Sequence, residues 1–337
     1  MSGSTGGPTV IAAVSAQLFA EFFSDADADR LRAAAARLGG SFVRVDRLAD
    51  AELSEARIVV TSWGAAPFDA AVLATLPKLE LVAHTGATIK PFATDELFDR
   101  GIVVTQAGAG MARSVAEVSL AFTLALLHRV PEMHNGLRSG DGWHDADAVG
   151  VQHEILGALI AVIGASRTGR AYLELIRVLG AAPLLVDPTV DAEQAAVLGV
   201  ELVPLDEALR RAQIVAVHAP TLPETHHLIG QRELALLRDG AGVVNTARSW
   251  LVDESALIDE VRRGRLSAAV DVFDEEPFAV DSPFRSLPGM LVTPHRAAGT
   301  HEGRRRQGRI VTDEIDAFIA GRPLAHAIGR AQLASMA

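Results

Sequence analysis

Three residues suited to acid–base chemistry or anion binding follow apolar runs of strand length in the second half of the chain. Arg248 ends the run VVNTAR, Glu276 comes shortly after AAVDVF, and His295 follows LVTP. A guanidinium offers a planar fork to a carboxylate, and an imidazole titrates near neutral pH. A carboxylate beside the imidazole can orient the ring and favour its protonated form. The three side chains together could move a proton and a hydride on a bound acid.

A strand, turn and helix at residues 154–188 have the form of a dinucleotide site. Residues 159–163 are an apolar run, residues 164–169 (GASRTG) are a turn of small residues, and residues 170–179 have a helical pattern. In such a unit the turn lies at the carboxyl edge of a parallel sheet, where helix amides and the helix dipole attract phosphate. Asp187 ends the second apolar run and is placed to accept hydrogen bonds from a ribose.

The elements that position these residues are predicted from alternating short strands and helical patterns, which favour parallel α/β sheets. An alanine-rich helix is expected at residues 26–38. After the central unit, the strands complete a predicted six-strand doubly wound sheet. Strands outside the central unit are predicted at residues 9–14, 57–61, 79–84, 102–105, 214–219, 242–247, 267–273 and 291–293.

Two helices have recognisable starts. After a flexible AGAG segment at residues 107–110, a predicted hinge, Ser114 and Glu117 have the form of a capping box that begins a buried helix. The apolar run of that helix, at residues 115–127, is expected to be too short to cross about 30 Å of hydrocarbon. Thr300 is predicted to cap the last long helix.

Composition narrows the possible partners. The 337 residues predict two domains, and 31 basic against 42 acidic residues give a net charge of −11. That charge disfavours binding to nucleic acid or to acidic membranes, so a small-molecule partner is expected. With no cysteine, thiolate chemistry and cysteine-ligated metal are excluded, which fits a cytoplasmic location. The start, MSGSTGGPT, has no apolar h-region and is expected to be a loose tail.

The ordered motifs resemble those of the D-isomer-specific 2-hydroxyacid dehydrogenases. The likeness runs from about residue 79 to residue 323 and is highly specific as a set. It is carried by residues 101–104 (GIVV), 114–117 (SVAE), 164–169 (GASRTG), 245–248 (NTAR), 271–277 (DVFDEEP) and 293–295 (TPH).

The resemblance implies an α/β fold with two Rossmann-like or flavodoxin-like parallel-sheet domains. The NAD-binding domain, residues 111–297, would be inserted into a substrate domain formed by residues 1–110 and 298–337. Homodimers are usual in that family. The implied activity is NAD-dependent reduction of a small 2-oxo acid to a D-2-hydroxy acid, or the reverse, without metal.

Residue roles follow from the same resemblance. Arg248 would bind the substrate carboxylate and carbonyl, His295 would be the acid/base, and Glu276 would hold and tune His295. The implied substrate-binding residues are Trp63, Thr85, Gly86, Ala87 and Arg248. The implied cofactor-binding residues are Gly164, Ser166, Arg167, Thr168, Gly169, Asp187, Pro220, Thr225, Thr246, Ala247, Asp271 and His295.

The chain departs from the family pattern at two positions. Ser166 stands where the phosphate loop has its second glycine, and its hydroxyl is either tolerated there or bonds a phosphate oxygen. Ser249, beside Trp250, replaces the glycine that follows the arginine, which puts the substrate in doubt more than the chemistry. Asp187 suits a ribose hydroxyl and repels a 2′-phosphate, so NAD is predicted over NADP.

Other interpretations stay open. The loop at residues 164–169 could be a plain turn, and Arg248 could form a surface ion pair. His226 and His227 suggest a metal, but adjacent side chains are expected to point apart. An NAD-sensing binding protein would keep the fold without turnover. A phosphite or formate dehydrogenase is a further alternative, although Glu276 disfavours the formate branch, which carries an amide there.

Overall fold

A computed structural model of the protein describes residues 7–138 and 142–333. Of the predicted loose tail, residues 1–6 lie outside the described residues, whereas Pro8 and Thr9 belong to the first strand, so the tail prediction is wrong for these two residues. The chain forms two compact units: unit 1 comprises Met1–Met111 and Gly299–Ala337, and unit 2 is Ala112–Ala298. Unit 2 is therefore a continuous segment between the two parts of unit 1. The domain boundaries drawn from the sequence differ from these by one residue.

Twelve strands occur in the described part of the chain. They are β1 (Pro8–Ala13), β2 (Ser41–Val45), β3 (Ile58–Thr61), β4 (Leu81–His84), β5 (Val103–Gln106), β6 (Leu159–Ile163), β7 (Ala182–Val186), β8 (Glu201–Leu202), β9 (Ile214–Val217), β10 (Gly242–Asn245), β11 (Ser267–Val270) and β12 (Met290–Val292).

The α-helices alternate with these strands along most of the chain. They are α1 (Ala16–Phe22), α2 (Asp25–Arg37), α3 (Ala70–Ala74), α4 (Asp95–Asp99), α5 (Ala112–Leu127), α6 (Val130–Arg138), α7 (Trp143–Asp147), α8 (Arg167–Val178), α9 (Ala192–Leu198), α10 (Leu205–Arg211), α11 (Gln231–Leu236), α12 (Glu254–Arg262), α13 (His301–Ile319) and α14 (Arg330–Leu333).

Unit 1 is built on a five-stranded parallel sheet of order β2-β1-β3-β4-β5. Its central strands β1, β3 and β4 are mostly apolar on both faces, as expected for a parallel sheet covered by helices on both sides. Val10 of β1 faces a core shared with α1, α2 and α13, whereas Ile11 faces a core shared with α3 and α4. The carboxyl ends of these strands carry the predicted substrate-binding residues.

Unit 2 is built on a parallel sheet of order β12-β11-β10-β9-β6-β7-β8. Helices α5 and α8 contribute to the core on one face, and α10, α11 and α12 to the core on the other. The strand order reverses between β6 and β9, the position at which open α/β sheets bind ligands. The predicted α/β fold with two parallel sheets is confirmed.

Two edge strands were missed by the sequence interpretation. The sheet of unit 2 has seven strands and not the predicted six, because β8 adds two exposed residues at one edge. In unit 1, β2 (SFVRV) is an edge strand that is half-exposed. Edge strands bury little side-chain surface, so they lack the continuous apolar run that predicts a central strand.

The capping box proposed for Ser114 and Glu117 is wrong. Helix α5 begins at Ala112, so the buried Ser114 lies inside its first turn. The Glu117 carboxylate instead pairs with Arg113 one turn away, at 2.7 Å. The adjoining 3-10 turn makes the stretch Gly108–Leu127 long and apolar enough to cross a membrane by length and composition, contrary to expectation. In this structure α5 packs on β9, β10 and β11 and on α8, as a core helix does.

The start of the last long helix is confirmed. The Thr300 hydroxyl accepts a hydrogen bond from the Gly303 amide at 3.1 Å and so caps α13. Val311 and Ile315 on this helix complete the core on one face of the unit 1 sheet.

Candidate active site

His295 and Glu276 form a close pair in unit 2. His295 Nδ1 lies 2.7 Å from Glu276 Oε2, and Glu276 Oε1 accepts a hydrogen bond from the Phe273 amide at 3.0 Å. The carboxylate is therefore held from both sides, and it fixes the orientation of the imidazole. Because Nδ1 is occupied by Glu276, Nε2 is the ring nitrogen left for a substrate. The His295 side chain keeps 46% of its surface exposed.

The backbone at His295 is unusual and is held by a buried carboxylate. His295 has φ = 51°, in the left-handed region that residues other than glycine rarely adopt. Asp271, fully buried after β11, accepts hydrogen bonds from the amides of Arg296 at 2.9 Å and Ala297 at 2.8 Å. The Thr293 hydroxyl donates to the same carboxylate. Asp271 thus anchors both sides of the turn that carries His295.

Arg248 follows β10 and presents a guanidinium without a carboxylate partner among the described residues. Nη1 donates to the Ala247 carbonyl at 2.6 Å. The buried side chain of Asn245 holds the turn, donating to the Arg248 carbonyl at 2.8 Å and accepting from the Ala247 amide at 3.1 Å. Burial lowers the pKa of Arg248 from its usual value, and the charge of Glu276 opposes this shift. A half-buried, unpaired guanidinium can bind a substrate anion strongly.

The turn between β6 and α8 has the close packing that a phosphate loop needs. Gly164 has φ = 102°, and a Cβ there would lie 2.6 Å from the Ala219 amide nitrogen. A Cβ on Gly169 would collide with the Gly164 carbonyl oxygen. Ser166 is the N-cap of α8, where its hydroxyl accepts from the Gly169 amide at 3.2 Å. Its own hydrogen can still be donated to a phosphate oxygen.

The Ser166 cap also explains why α8 begins at Arg167 and not at the predicted residue 170. Arg167 and Thr168 consequently lie in the first turn of the helix, where amide groups and the helix dipole attract anions. The residues present in the described loop therefore fit a dinucleotide pyrophosphate.

Asp187 joins the end of β7 to this loop. Its Oδ2 accepts a hydrogen bond from the Ala165 amide at 2.6 Å, and its Oδ1 accepts from the amide and hydroxyl of Thr189 at 2.8 and 2.6 Å. Burial alone would raise the pKa of Asp187, but the hydrogen bonds from Thr189 and Ala165 prevail and hold the pKa below its usual value. A carboxylate has about four acceptor positions, so a ribose hydroxyl can still bind.

The remaining predicted cofactor residues lie in loops after β9 and β10. The Thr225 hydroxyl donates to the Pro220 carbonyl at 2.7 Å and accepts from the Leu222 amide at 2.8 Å, which closes the loop after β9. Thr246 is buried and its hydroxyl lies 2.7 Å from that of Ser119 on α5. Thr225 and Thr246 therefore also shape the loops in which they lie.

The predicted substrate residues of unit 1 lie together after β3 and β4. The Thr85 hydroxyl donates to Ser62 at 2.9 Å, and the Thr85 carbonyl accepts from the Gln307 side chain at 2.7 Å. A Cβ on Gly86 would lie 2.6 Å from His84 Nε2 and 3.3 Å from Trp63 Nε1. Only glycine therefore fits between these two rings.

The sequence interpretation missed His84, whose ring packs against Gly86 and so supports the loop after β4. Its Nδ1 is hydrogen-bonded to the Thr61 hydroxyl at 3.0 Å, and burial lowers its pKa to about 4. His84 is therefore neutral at physiological pH. The signal was present in the sequence, since His84 ends a strand directly before Thr85, the criterion that identified Arg248.

The expectation that His226 and His227 point apart was wrong. Their rings stack with centroids 4.0 Å apart, and the His226 ring lies 4.1 Å from Trp250. His227 has φ = 48°, which turns its side chain onto that of its neighbour. Within residues 7–138 and 142–333, no group of three or more metal-ligating side chains could hold a metal ion.

Comparison with known proteins agrees with this geometry. A family model described as D-isomer specific 2-hydroxyacid dehydrogenase, NAD binding domain, matches residues 120–297, more than half of the chain. The chain belongs to this family, and the matched residues form its NAD-binding domain. NAD is accordingly the cofactor, and the family is one of oxidoreductases.

Two named enzymes and one solved structure are similar to this chain. The D-3-phosphoglycerate dehydrogenase of Mycobacterium tuberculosis is 35% identical over 315 residues, 93% of this chain and 55% of that protein. The chain thus spans about half the length of that relative. A glyoxylate reductase of Korarchaeum cryptofilum is 31% identical over 76% of this chain and 77% of its own length. The TT0316 protein of Thermus thermophilus superposes with a TM-score of 0.77 at 26% identity, covering 95% and 99% of the two chains.

Proposed function

We propose that the protein is a D-2-hydroxyacid dehydrogenase that reduces a small 2-oxo acid with NADH, or catalyses the reverse reaction. One observation carries this proposal: the 2.7 Å pair of His295 and Glu276 lies at the same sheet edge as Arg248, whose guanidinium has no carboxylate partner among the described residues. A fixed imidazole and an unpaired guanidinium are what a reaction on an anionic carbonyl compound needs.

Each residue has one task in the proposed reaction. Arg248 binds the carboxylate and the carbonyl oxygen of the 2-oxo acid, and its charge stabilises the negative charge that develops on that oxygen. His295 donates a proton from Nε2 to the same oxygen, which avoids an unsolvated alkoxide. Glu276 stabilises the imidazolium before transfer. NAD, when bound, supplies or accepts the hydride at C2. The amides of Gly86 and Ala87 are proposed to bind the substrate carboxylate, whereas the Thr85 amide already donates to the Thr61 carbonyl at 3.0 Å.

The test is NADH oxidation at 340 nm with glyoxylate, hydroxypyruvate, pyruvate and longer 2-oxo acids. His295→Ala is expected to lower kcat by about 10²–10⁴-fold, the usual contribution of general acid–base catalysis, while NADH binding persists. His153→Ala, an exposed histidine of the same unit, is the control and should change neither quantity. Unchanged kcat in His295→Ala would refute the assigned role, and an absence of NADH oxidation with every acid would favour an NAD-sensing protein.

We further propose, on the family resemblance, that the enzyme is a homodimer and, on the absence of cysteine, that it is cytoplasmic. Light scattering coupled to gel filtration measures the mass directly, and a value near twice 35.5 kDa is expected.

A further inference from the structure

A cavity of about 880 Å³ opens at the carboxyl ends of β1, β2 and β3 in unit 1. The strand order 2-1-3-4-5 reverses between β1 and β3, and open α/β sheets bind ligands at such a reversal. Its volume lies within the range of about 300–1,000 Å³ that is typical of small-molecule sites. Both position and size mark it as a ligand pocket.

The cavity is apolar where a ligand would touch it. Its lining includes Leu18, Leu48, Leu53, Phe68 and Val72. Four of the five hydroxyl groups in the lining already have partners. The hydroxyls of Thr61 and Ser62 are engaged by His84 and Thr85, that of Ser15 accepts from the Leu18 amide, and that of Thr75 donates to the Val72 carbonyl. A ligand therefore gains from this cavity mainly by removing apolar surface from water.

The charged groups of the lining do not favour a phosphate. They are Asp46, Arg47 and Glu52. Arg47 is exposed and pairs with Asp50 at 2.8 Å. A phosphate dianion is normally bound by arginine or lysine groups that can form several charge-assisted hydrogen bonds. Here the acidic side chains outnumber the single cation of the lining, and that cation is already paired.

Trp63 connects the cavity to the proposed substrate-binding loop. The indole lines the cavity, and its Nε1 lies 3.3 Å from the position that a Cβ would take on Gly86. Arg304 stacks on the indole with its Cζ 4.2 Å from a ring centroid, and Glu21 lies 3.7 Å from the Arg304 guanidinium. This buried arginine thus contacts the rings of Trp63 and Phe22 and the carboxylate of Glu21, and these contacts restrain the indole.

The distance between the ends of β4 and β1 matches the length of a large substrate side chain. Neighbouring strands lie about 4.8 Å apart, so the ends of β4 and β1, two strands away, are about 10 Å apart. An acid whose carboxylate is bound at Gly86 could therefore extend an aryl or branched alkyl group past Trp63 to the end of β1. A hydrogen atom or methyl group in that place would leave most of the cavity unfilled.

We propose that the substrate is a 2-oxo or 2-hydroxy acid with a large uncharged apolar side chain, aryl or branched alkyl, and that this side chain occupies the cavity beside Trp63. The inference rests on the proposed dehydrogenase function and specifies its substrate. The proposed substrate differs from the phosphorylated acid for which the D-3-phosphoglycerate dehydrogenase of Mycobacterium tuberculosis is named.

A substrate panel tests the inference. Phenylpyruvate and 4-methyl-2-oxopentanoate are expected to exceed glyoxylate and 3-phosphohydroxypyruvate in kcat/KM by at least about 100-fold, since each buried methylene contributes about 10-fold or more. Turnover that is fastest with the phosphorylated acid or with glyoxylate would overturn the inference while leaving the dehydrogenase function intact.

A matched pair of variants on one short helix tests the location. Ala71 of α3 lines the cavity, whereas Ala74 of the same helix is exposed outside it. Ala71→Phe is expected to lower the ratio of kcat/KM for phenylpyruvate to that for glyoxylate by about 10-fold or more, because the added ring fills the cavity. Ala74→Phe should leave this ratio unchanged, and equal effects of both variants would contradict the location.

If no acid supports NADH oxidation, the proposed function fails. Binding of 3-phenyllactate then tests whether the cavity holds the apolar group of a ligand. Calorimetric titration of 3-phenyllactate into the NAD complex is the measurement. Binding that weakens at least 10-fold in Ala71→Phe and not in Ala74→Phe would support the cavity as the site of the apolar group. No binding, or equal binding to both variants, would overturn it.

Discussion

The carboxylate of Asp271 accepts a hydrogen bond from the amide of Ala297 at 2.8 Å and so holds the turn on which His295 lies. The resemblance implies that Asp271 contacts the cofactor, and the described contacts make it in addition a positioning residue for the proposed acid/base. Its three donors, two amides and a hydroxyl, all belong to the segment Thr293 to Ala297.

Asp271→Asn should therefore impair the reaction more than cofactor binding. An amide oxygen can accept from one of the two backbone amides, but the NH₂ group cannot accept from the other. A shift of His295 by about 1 Å is expected to lower kcat about 100-fold with the Kd for NADH unchanged. Stopped-flow kinetics and fluorescence titration with NADH separate the two effects, and Asp274→Asn is the exposed control. A higher Kd for NADH with a normal kcat would show that Asp271 acts in cofactor binding and not in positioning His295.

Replacement of Arg248 by lysine should weaken substrate binding although the charge is kept. A lysine ammonium is a point charge and cannot present the planar fork that matches a carboxylate. We expect Arg248→Lys to raise the KM for 2-oxo acids by about 100-fold, which corresponds to about 2.7 kcal/mol. Arg262→Lys, on the exposed surface of α12, is the control. A KM within twofold of the wild-type value would exclude a bidentate role.

Cofactor choice should depend on Asp187. Hydrogen bonds keep this carboxylate ionised, so it repels the 2′-phosphate of NADPH. The expected preference for NADH over NADPH in kcat/KM is about 100-fold, which corresponds to about 2.7 kcal/mol. This is less than the roughly 4 kcal/mol of repulsion between two like charges 4 Å apart near a protein surface. Asp187→Ser should narrow this preference, whereas Glu193→Ser, an exposed acidic residue of α9, should not. Comparable wild-type rates with both cofactors would rule out the assignment.

Two buried histidines should make the protein labile to acid. Burial lowers the pKa of His218 to about 3 and that of His84 to about 4. Below about pH 6.5 the unfolded chain binds protons that these folded side chains do not, so stability is lost as the pH falls toward the folded pKa values. Each histidine contributes a slope of up to about 1.4 kcal/mol per pH unit.

His218→Asn should remove one of these two slopes. Between pH 6 and pH 5, the free energy of unfolding of unit 2, measured with urea, should fall by about 1.2 kcal/mol less in the variant than in the wild type. His128→Asn, at an exposed position, should behave as the wild type does. An identical pH dependence in all three proteins would show that burial does not lower the pKa of His218 in the folded chain.

The sequence predicted the central elements well and the edges poorly. Strand β6 agrees with its prediction because residues 159–163 are apolar without interruption and are bounded by glycine. Strand β8 has only two residues, both exposed, and no periodicity can be detected over so short a length. Ser114 shows a related limit, since its capping pattern is local, whereas the true helix start depends on the preceding 3-10 turn.

In the candidate site, too, some features could be predicted from the sequence and others could not. Residue type and strand-end position identified Arg248, Glu276 and His295, because the geometry of a parallel sheet brings such positions to one edge. The anchoring of the His295 turn by Asp271 could not be predicted, since it depends on a left-handed backbone at His295. The stacking of His226 on His227 depends on a left-handed residue in the same way.

Helix α13 completes the core of unit 1, although the ribosome makes it only after all of unit 2. Until Val311 and Ile315 emerge, one apolar face of the first sheet, including Phe22 and Leu31, lacks part of its cover. Unit 2 is a continuous segment and can fold as soon as it has been synthesised, which is how domains generally form during translation. A chain that stops within α13 would therefore retain a folded unit 2 beside an aggregation-prone unit 1.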